Sequence, residues 1–138
     1  MKLLVDTNVY LELLLKRENH QMVSQFFYLA LLKRNQTFVT AMSLRDIGYV
    51  VHRRLHDNEK TKKLQMKIYS MTSKVLSTSA DCAIESLYSD NPDYEDSLQM
   101  LAAEEAMLDA IVTFNKKDFS TSRIPVFTPS EICEYWKL

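Results

Sequence analysis

The chain predicts an α/β fold, a parallel sheet covered by helices on both faces. Three observations carry that reading. Short apolar runs alternate with amphipathic helical segments from end to end. The run Ala110-Ile111-Val112-Thr113-Phe114 is β-branched and aromatic, as an inner strand requires. The 138 residues are enough to close one hydrophobic core and too few for two, so 1–138 is expected to be a single domain.

Lys2-Leu3-Leu4-Val5 is a strand that meets Asp6 directly, and the helical pattern Val9, Leu11, Leu14, Leu15 starts at once behind it. A second helix spans His20 to Lys33, with Val23, Phe26, Phe27, Ala30 and Leu31 as its apolar stripe. Phe38-Val39-Thr40 is the next strand. Ser43 is a plausible N-cap for the helix behind it, which places Asp46 in the first turn. Leu44, Ile47, Val51 and Leu55 continue that helix until Asp57-Asn58 breaks it, and Glu59 to Ser73 is helical again. Lys74 to Thr78 reads as a third strand and Ala80 to Tyr88 as a helix. After the turn Ser89-Asp90-Asn91-Pro92, residues Asp93 to Leu108 form the strongest helical segment of the chain. Asn115 to Phe119 is a loop beyond the fourth strand, Pro125-Val126-Phe127 a short last strand, and Pro129-Ser130-Glu131 opens a terminal helix carrying Ile132, Tyr135 and Trp136.

Composition narrows the functional classes. Charged residues make up 25% and hydrophobic ones 46%, a balance ordinary for a soluble globule. No run approaches the ~20 apolar residues that span a bilayer, and the N-terminus lacks the pattern of a signal peptide, so a cytoplasmic protein with no membrane partner is expected. Gly48 is the only glycine, which removes Gly-rich phosphate loops and dinucleotide fingerprints. Cys82 and Cys133 have neither metal-ligand nor redox spacing and read as buried free thiols. A net charge of −1 neither announces nor excludes a polyanion partner, since a basic rim can coexist with an acidic centre.

The acids carry the chemistry. Asp6 stands on a strand-to-helix turn at the carboxyl edge of the sheet, where open α/β sheets bind ligands; the simpler alternative is that Asp6 or Thr7 only caps the helix. Asp96 lines up with Met100, Ala103 and Met107 and so heads an inward-facing stripe. Asp93 and, in part, Glu95 are accounted for as compensation of the helix dipole. A helix leading into a parallel strand has its N-terminus at the strand's carboxyl edge, which brings Asp96 level with Asp6. Asp46, opening the helix after the second strand, and Asn115 and Asp118, following the fourth, gather at the same edge. Carboxylates so close raise one another's pKa unless a cation sits among them. Oxygen donors without His or Cys point to Mg²⁺ or Mn²⁺, and such a centre suits phosphodiester hydrolysis.

Taken together, Val5-Asp6-Thr7-Asn8, Ser43-Leu44-Arg45-Asp46-Ile47, Tyr94-Glu95-Asp96-Ser97-Leu98-Gln99 and Asp109 to Asn115 with Lys117-Asp118-Phe119 resemble the PIN-domain ribonucleases, which include toxins of bacterial toxin–antitoxin pairs. The resemblance implies a three-layer α/β/α sandwich with a central five-stranded parallel sheet in the order 3-2-1-4-5, and metal-dependent endoribonuclease activity. It further implies Asp6, Asp46 and Asp96 as the acidic metal site, Thr113 near the ion, Asn8 beside the first acid, an antitoxin partner and a homodimer. Two departures stand out. Asp46 is shorter than the Glu often found at its place, which implies reaching the ion through a water. Asn115 occupies the position of the usual fourth acid, with Asp118 three residues on, and either could complete the site.

Arg45, Lys116 and Lys117 flank the acids and are the candidate contacts to RNA phosphates, the RNA being single-stranded or structured. His52 and His56 lie four apart on a helix but lack a zincin Glu and read as surface or RNA-facing residues. Lys60, Lys62 and Lys63 read as a solvated helix face, and Tyr69, Tyr88 and Tyr94 mostly as core rather than base-stacking residues. A haloacid-dehalogenase-type phosphatase would need an Asp where Asn8 stands, and a phosphoacceptor receiver an Asp at the end of the third strand, where there is none. The alternative from another class is a catalytically silent PIN-like module that binds RNA or protein, which the Asn115 replacement keeps open.

Overall fold

The computed structural model describes residues 1–137. Strands β1 (Lys2–Val5), β2 (Gln36–Thr40), β3 (Lys74–Leu76), β4 (Ala110–Val112) and β5 (Val126–Phe127) form one sheet in the order β3-β2-β1-β4-β5. Every neighbouring pair is parallel, so each connection has to cross from one end of the sheet to the other. Helices α1 (Thr7–Leu14) and α2 (His20–Leu32) make the first crossing, α3 (Ala41–Leu55) and α4 (Asn58–Met71) the second, and α5 (Ala80–Leu87) and α6 (Tyr94–Glu105) the third. A 3-10 turn (Lys116–Phe119) precedes β5, and α7 (Pro129–Lys137) follows it.

The alternation of side chains along β1 divides the interior into two layers. Leu3 and Val5 face a layer built with Val9 and Tyr10 of α1, Phe26 of α2, Ile47 of α3 and Trp136 of α7. Leu4 faces the other, shared with Phe38, Ile111, Phe119 and with Met100 and Ala103 of α6. Because β1 is central it is buried on both faces, and Leu3, Leu4 and Val5 have no exposed surface. Phe26 stacks on Trp136 with ring centroids 5.7 Å apart, which ties α7 back onto α2. The predicted three-layer sandwich and strand order are thus those observed.

Several boundaries differ from the sequence reading, each for a local reason. Thr40, not Ser43, caps α3: its Oγ1 accepts from Ser43 N at 3.0 Å, because the helix starts on the residue after β2 with no loop between. Asp46 consequently sits in the second turn of α3. Helix α6 stops at Glu105; Met107 takes a left-handed φ of 54° and is exposed, so the inward stripe ends at Ala103. Lys16, Arg34 and His56 adopt the same left-handed conformation just past α1, α2 and α3. Strands β3 and β4 are three residues each, shorter than predicted. Tyr69, Tyr88 and Tyr94 lie on the surface instead of the core. Gly48 leaves room for α4 beside α3: a Cβ there would meet the amide of Gln65, which donates to Leu44 O at 3.0 Å. Cys82 and Cys133 are buried free thiols, as expected.

The Tyr10 hydroxyl lies wholly inside the first layer and has no hydrogen-bond partner among the described residues. Burying such a group without a partner is unfavourable. Tyr10→Phe is therefore expected to raise the unfolding free energy by about 1 kcal/mol; a comparable loss in urea denaturation would show that the hydroxyl is bonded.

Candidate active site

Strand order reverses between β1 and β4, and the crevice at their carboxyl ends is where an α/β sheet of this type presents a ligand site. Asp6 directly follows β1 and Thr113 directly follows β4, with Asp6 N donating to Val112 O at 3.0 Å. Although Asp6 occupies the N-cap position of α1, its side chain makes no capping bond. Instead Thr113 Oγ1 donates to Asp6 Oδ2 at 2.8 Å and Gln99 Nε2 donates to Asp6 Oδ1 at 2.8 Å. The capping alternative for Asp6 is thereby removed. The carboxylate is 4% exposed and held across β1, β4 and α6 by neutral donors.

Helix α6 enters the site by its N-terminus. Asp93 Oδ1 accepts from Asp96 N at 3.0 Å and is the cap, which leaves the Asp96 carboxyl free of that duty. Asp6, Asp46, Glu95, Asp96 and Gln99 line one cavity of about 350 Å³ together with Asn8, Arg45 and Tyr49. Asp96 also borders a second cavity of about 390 Å³, shared with Asp93, Lys117 and Asp118. Burial raises the Asp6 pKa, opposed by its bonds to Gln99, Thr113 and Thr7 N. Asp96 is pushed up to about 7, first by burial and then by Asp93, Asp6, Asp118 and Glu95. Glu95 is raised by burial and by Asp46 and Asp93, with Arg45 opposing. Negative charge is thus in excess, and Arg45, the one cation lining the cavity of Asp6, lies 3.2 Å from Asp46.

The three acids read from the sequence share one cavity. The flanking residues divide. Asp118 and Asn115 are both exposed; Asp118 is within electrostatic reach of Asp6 and Asp96, whereas Asn115 is tied to the site through its backbone N–H, which donates to Thr113 Oγ1 at 3.0 Å. Lys117 borders the cavity of Asp96, but Lys116 is paired with Glu131 at 2.9 Å. Asn8 is exposed on the rim. Sequence reasoning missed Gln99, an uncharged residue one turn past Asp96 on the buried face. It also missed Ser43 and Thr7, whose hydroxyl oxygens lie 2.6 Å apart and join α3 to α1. The spacing of Gln99 from Asp96 was the available signal.

The oxygen donors and the surplus of negative charge fit a hard divalent cation in chemical character. Among the described residues, however, no three His, Cys, Asp or Glu side chains already stand close enough together to hold one.

This chain belongs to the PIN domain family: the family model described as PIN domain matches residues 2–117. Solved structures agree on the fold. The toxin VapC20 of Mycobacterium tuberculosis, described as cleaving the sarcin–ricin loop, is 12% identical with a TM-score of 0.69 over 86% of this chain and 94% of its own. VapBC2 of Rickettsia felis, bound to a DNA fragment from its promoter, is 18% identical with a TM-score of 0.67, covering 92% and 97%. A toxin–antitoxin complex from Klebsiella pneumoniae is 22% identical with a TM-score of 0.63, covering 91% and 96%. No curated protein matches the chain in sequence. No helix among the described residues is long and apolar enough to cross a membrane.

The raised Asp96 carboxyl sets a pH dependence for the metal-free protein. Its folded pKa, about 7, lies above the unfolded value of about 3.9, so its favourable contribution is complete below the unfolded value and is lost as pH rises through 7. Urea denaturation in chelator should find wild-type stability falling between about pH 4 and 7, and Asp96→Asn flattening that fall. An unchanged slope would contradict the assignment.

Proposed function

We propose that the chain is a divalent-metal-dependent endoribonuclease of the cytoplasm, acting as one PIN-like unit. The observation that supports this best is the buried Asp6 carboxylate, oriented by Gln99 and Thr113 and opening onto a cavity shared with Asp46, Glu95 and Asp96. Asp6, Asp46 and Asp96 would hold Mg²⁺ or Mn²⁺, with Asp118 favoured over Asn115 as the further oxygen donor. Bound there, the ion supplies charge neutralisation at the phosphoryl oxygens and a lowered pKa for an attacking water.

The chain's own residues do the positioning. Gln99 and Thr113 fix both oxygens of Asp6, so the carboxylate keeps one orientation when its neighbours move. The capping bond from Asp93 fixes the start of α6 and with it Asp96. Lys117, beside Asp96 and Asp118, offers a positive charge to the substrate backbone, as does Arg45 once released from Asp46. Lys116, engaged with Glu131, orders the loop instead.

The role as a toxin is proposed by likeness to the VapC and VapBC proteins, and with it an antitoxin partner and a homodimer. The alternative of a silent module draws on Asn115 at the place of the usual fourth acid and on the spacing of the acids, no three of which stand close enough together among the described residues to hold an ion.

Cleavage of single-stranded RNA by the wild type should require Mn²⁺ or Mg²⁺ and stop on chelation. Asp6→Asn and Asp96→Asn should each lower the rate by about 100-fold or more, the scale on which removing a group that stabilises transition-state charge acts. Activity surviving either substitution, or chelation, would remove the metal mechanism. Asp118→Asn should weaken Mn²⁺ binding measured by calorimetry by about 10-fold, in the range seen when groups supporting a metal site are lost, whereas Asn115→Ala should not.

A further inference from the structure

Charge is unevenly spread over the molecule. From Ala41 to Met71, the span of α3 and α4, seven Lys and Arg stand against three Asp and Glu, while the remainder of the chain carries ten against fifteen. The excess is not cancelled where it arises. Among the described residues this span makes two ion pairs, Arg45 with Asp46 and Lys63 with Glu59. Arg53, Arg54, Lys60, Lys62 and Lys67 make none. In a molecule of net charge −1, this pair of packed helices therefore carries a local excess of positive charge, with five cations outside any ion pair among the described residues.

That pair begins at the acid cavity. Asp46 and Tyr49 of α3 both line it, and Arg45, Tyr49 and Arg53 succeed one another at intervals of four residues, which places them along one face of the helix. Tyr49 is 59% exposed, and the Arg53 guanidinium carbon lies 5.8 Å from its ring centroid. The cation holds the ring in place. An exposed aromatic ring held by one arginine, with a second arginine one turn back on the same helix at the mouth of an acidic cavity, is an arrangement that receives an unpaired base with phosphates beside it. Paired bases would offer that ring no face to stack on.

We propose that the Arg45-Tyr49-Arg53 face of α3 is the track along which single-stranded RNA leaves the acid cavity, with Tyr49 stacking on a base and the two arginines meeting phosphates. This rests on the nuclease reading and adds to it the path of the strand over α3, the base-stacking residue and the unpaired state of the substrate next to the cut. It also resolves an electrostatic difficulty. The cavity itself repels a polyanion, and the track supplies the attraction that brings the strand to it.

The test measures binding of a labelled single-stranded RNA in chelator, where cleavage is absent, at several salt concentrations. Tyr49→Leu should weaken binding about 5- to 100-fold, the range expected for the loss of one stacked base, and Tyr49→Phe should restore it. Arg53→Gln should lower the slope of log affinity against log salt by about 0.7, the value for one phosphate contact on a single strand. Lys33→Gln, at the end of α2, should change neither. All three side chains are exposed, and melting curves will confirm that each variant folds. If the wild type binds and cleaves RNA while Tyr49→Leu and Arg53→Gln bind with unchanged affinity and slope, the track is wrong and the nuclease reading stands. If the wild type neither binds nor cleaves RNA with Mn²⁺ present, the nuclease reading fails and the track falls with it.

Discussion

The site is organised by a carboxylate with little water around it. Asp6 is buried where strand order reverses, and its two oxygens are met by hydroxyl and amide donors from two other elements. Each bond to a charged acceptor contributes more than a neutral one, on the order of 1.5–3 kcal/mol, yet neither donor brings a full positive charge. The charge is held in place without being neutralised. Such an arrangement stays poised for a cation or a proton, and the elevated pKa values of Asp6, Glu95 and Asp96 express the same condition.

The fold delivers this condition with few residues. β1 leads directly into Asp6, β2 runs into α3 without a loop, and β4 leads into Thr113 beside Asp6, so the parallel register sets the floor of the crevice. α6 enters from above with its first turn at the same edge, and Asp96 and Gln99 face the crevice because three residues make almost one helical turn. Thr113 serves twice, donating to Asp6 and accepting from Asn115 N. A side chain that fixes both an acid and the loop behind it couples the two.

Much of this was legible in the sequence. The apolar run ending in Asp6, the β-branched run ending near Thr113 and the inward register of Asp96 are consequences of periodicity. The parts that were not legible depended on pairing across elements. Gln99 carries no charge and looks like any helical glutamine until Asp6 is placed opposite it. Ser43 resembles a cap because caps are recognised by residue type, and Thr40 displaced it once strand and helix were contiguous. Tyr69 lies in α4, Tyr88 just past α5 and Tyr94 at the start of α6, and an amphipathic side chain fits a buried or an exposed position there, so only packing decides between them. Asn115 and Asp118 are three residues apart in a loop, where sequence has no periodicity to say which one borders the cavity of Asp96.

The left-handed helix ends have a consequence for engineering. Lys16, Arg34, His56 and Met107 each carry a side chain through a conformation that costs an L-residue roughly 1–2 kcal/mol relative to glycine, in a chain that contains glycine only at position 48. None of the four lines the cavities around Asp6 and Asp96. Heat tolerance can therefore be raised at these helix exits without altering the acid cavities at the sheet edge.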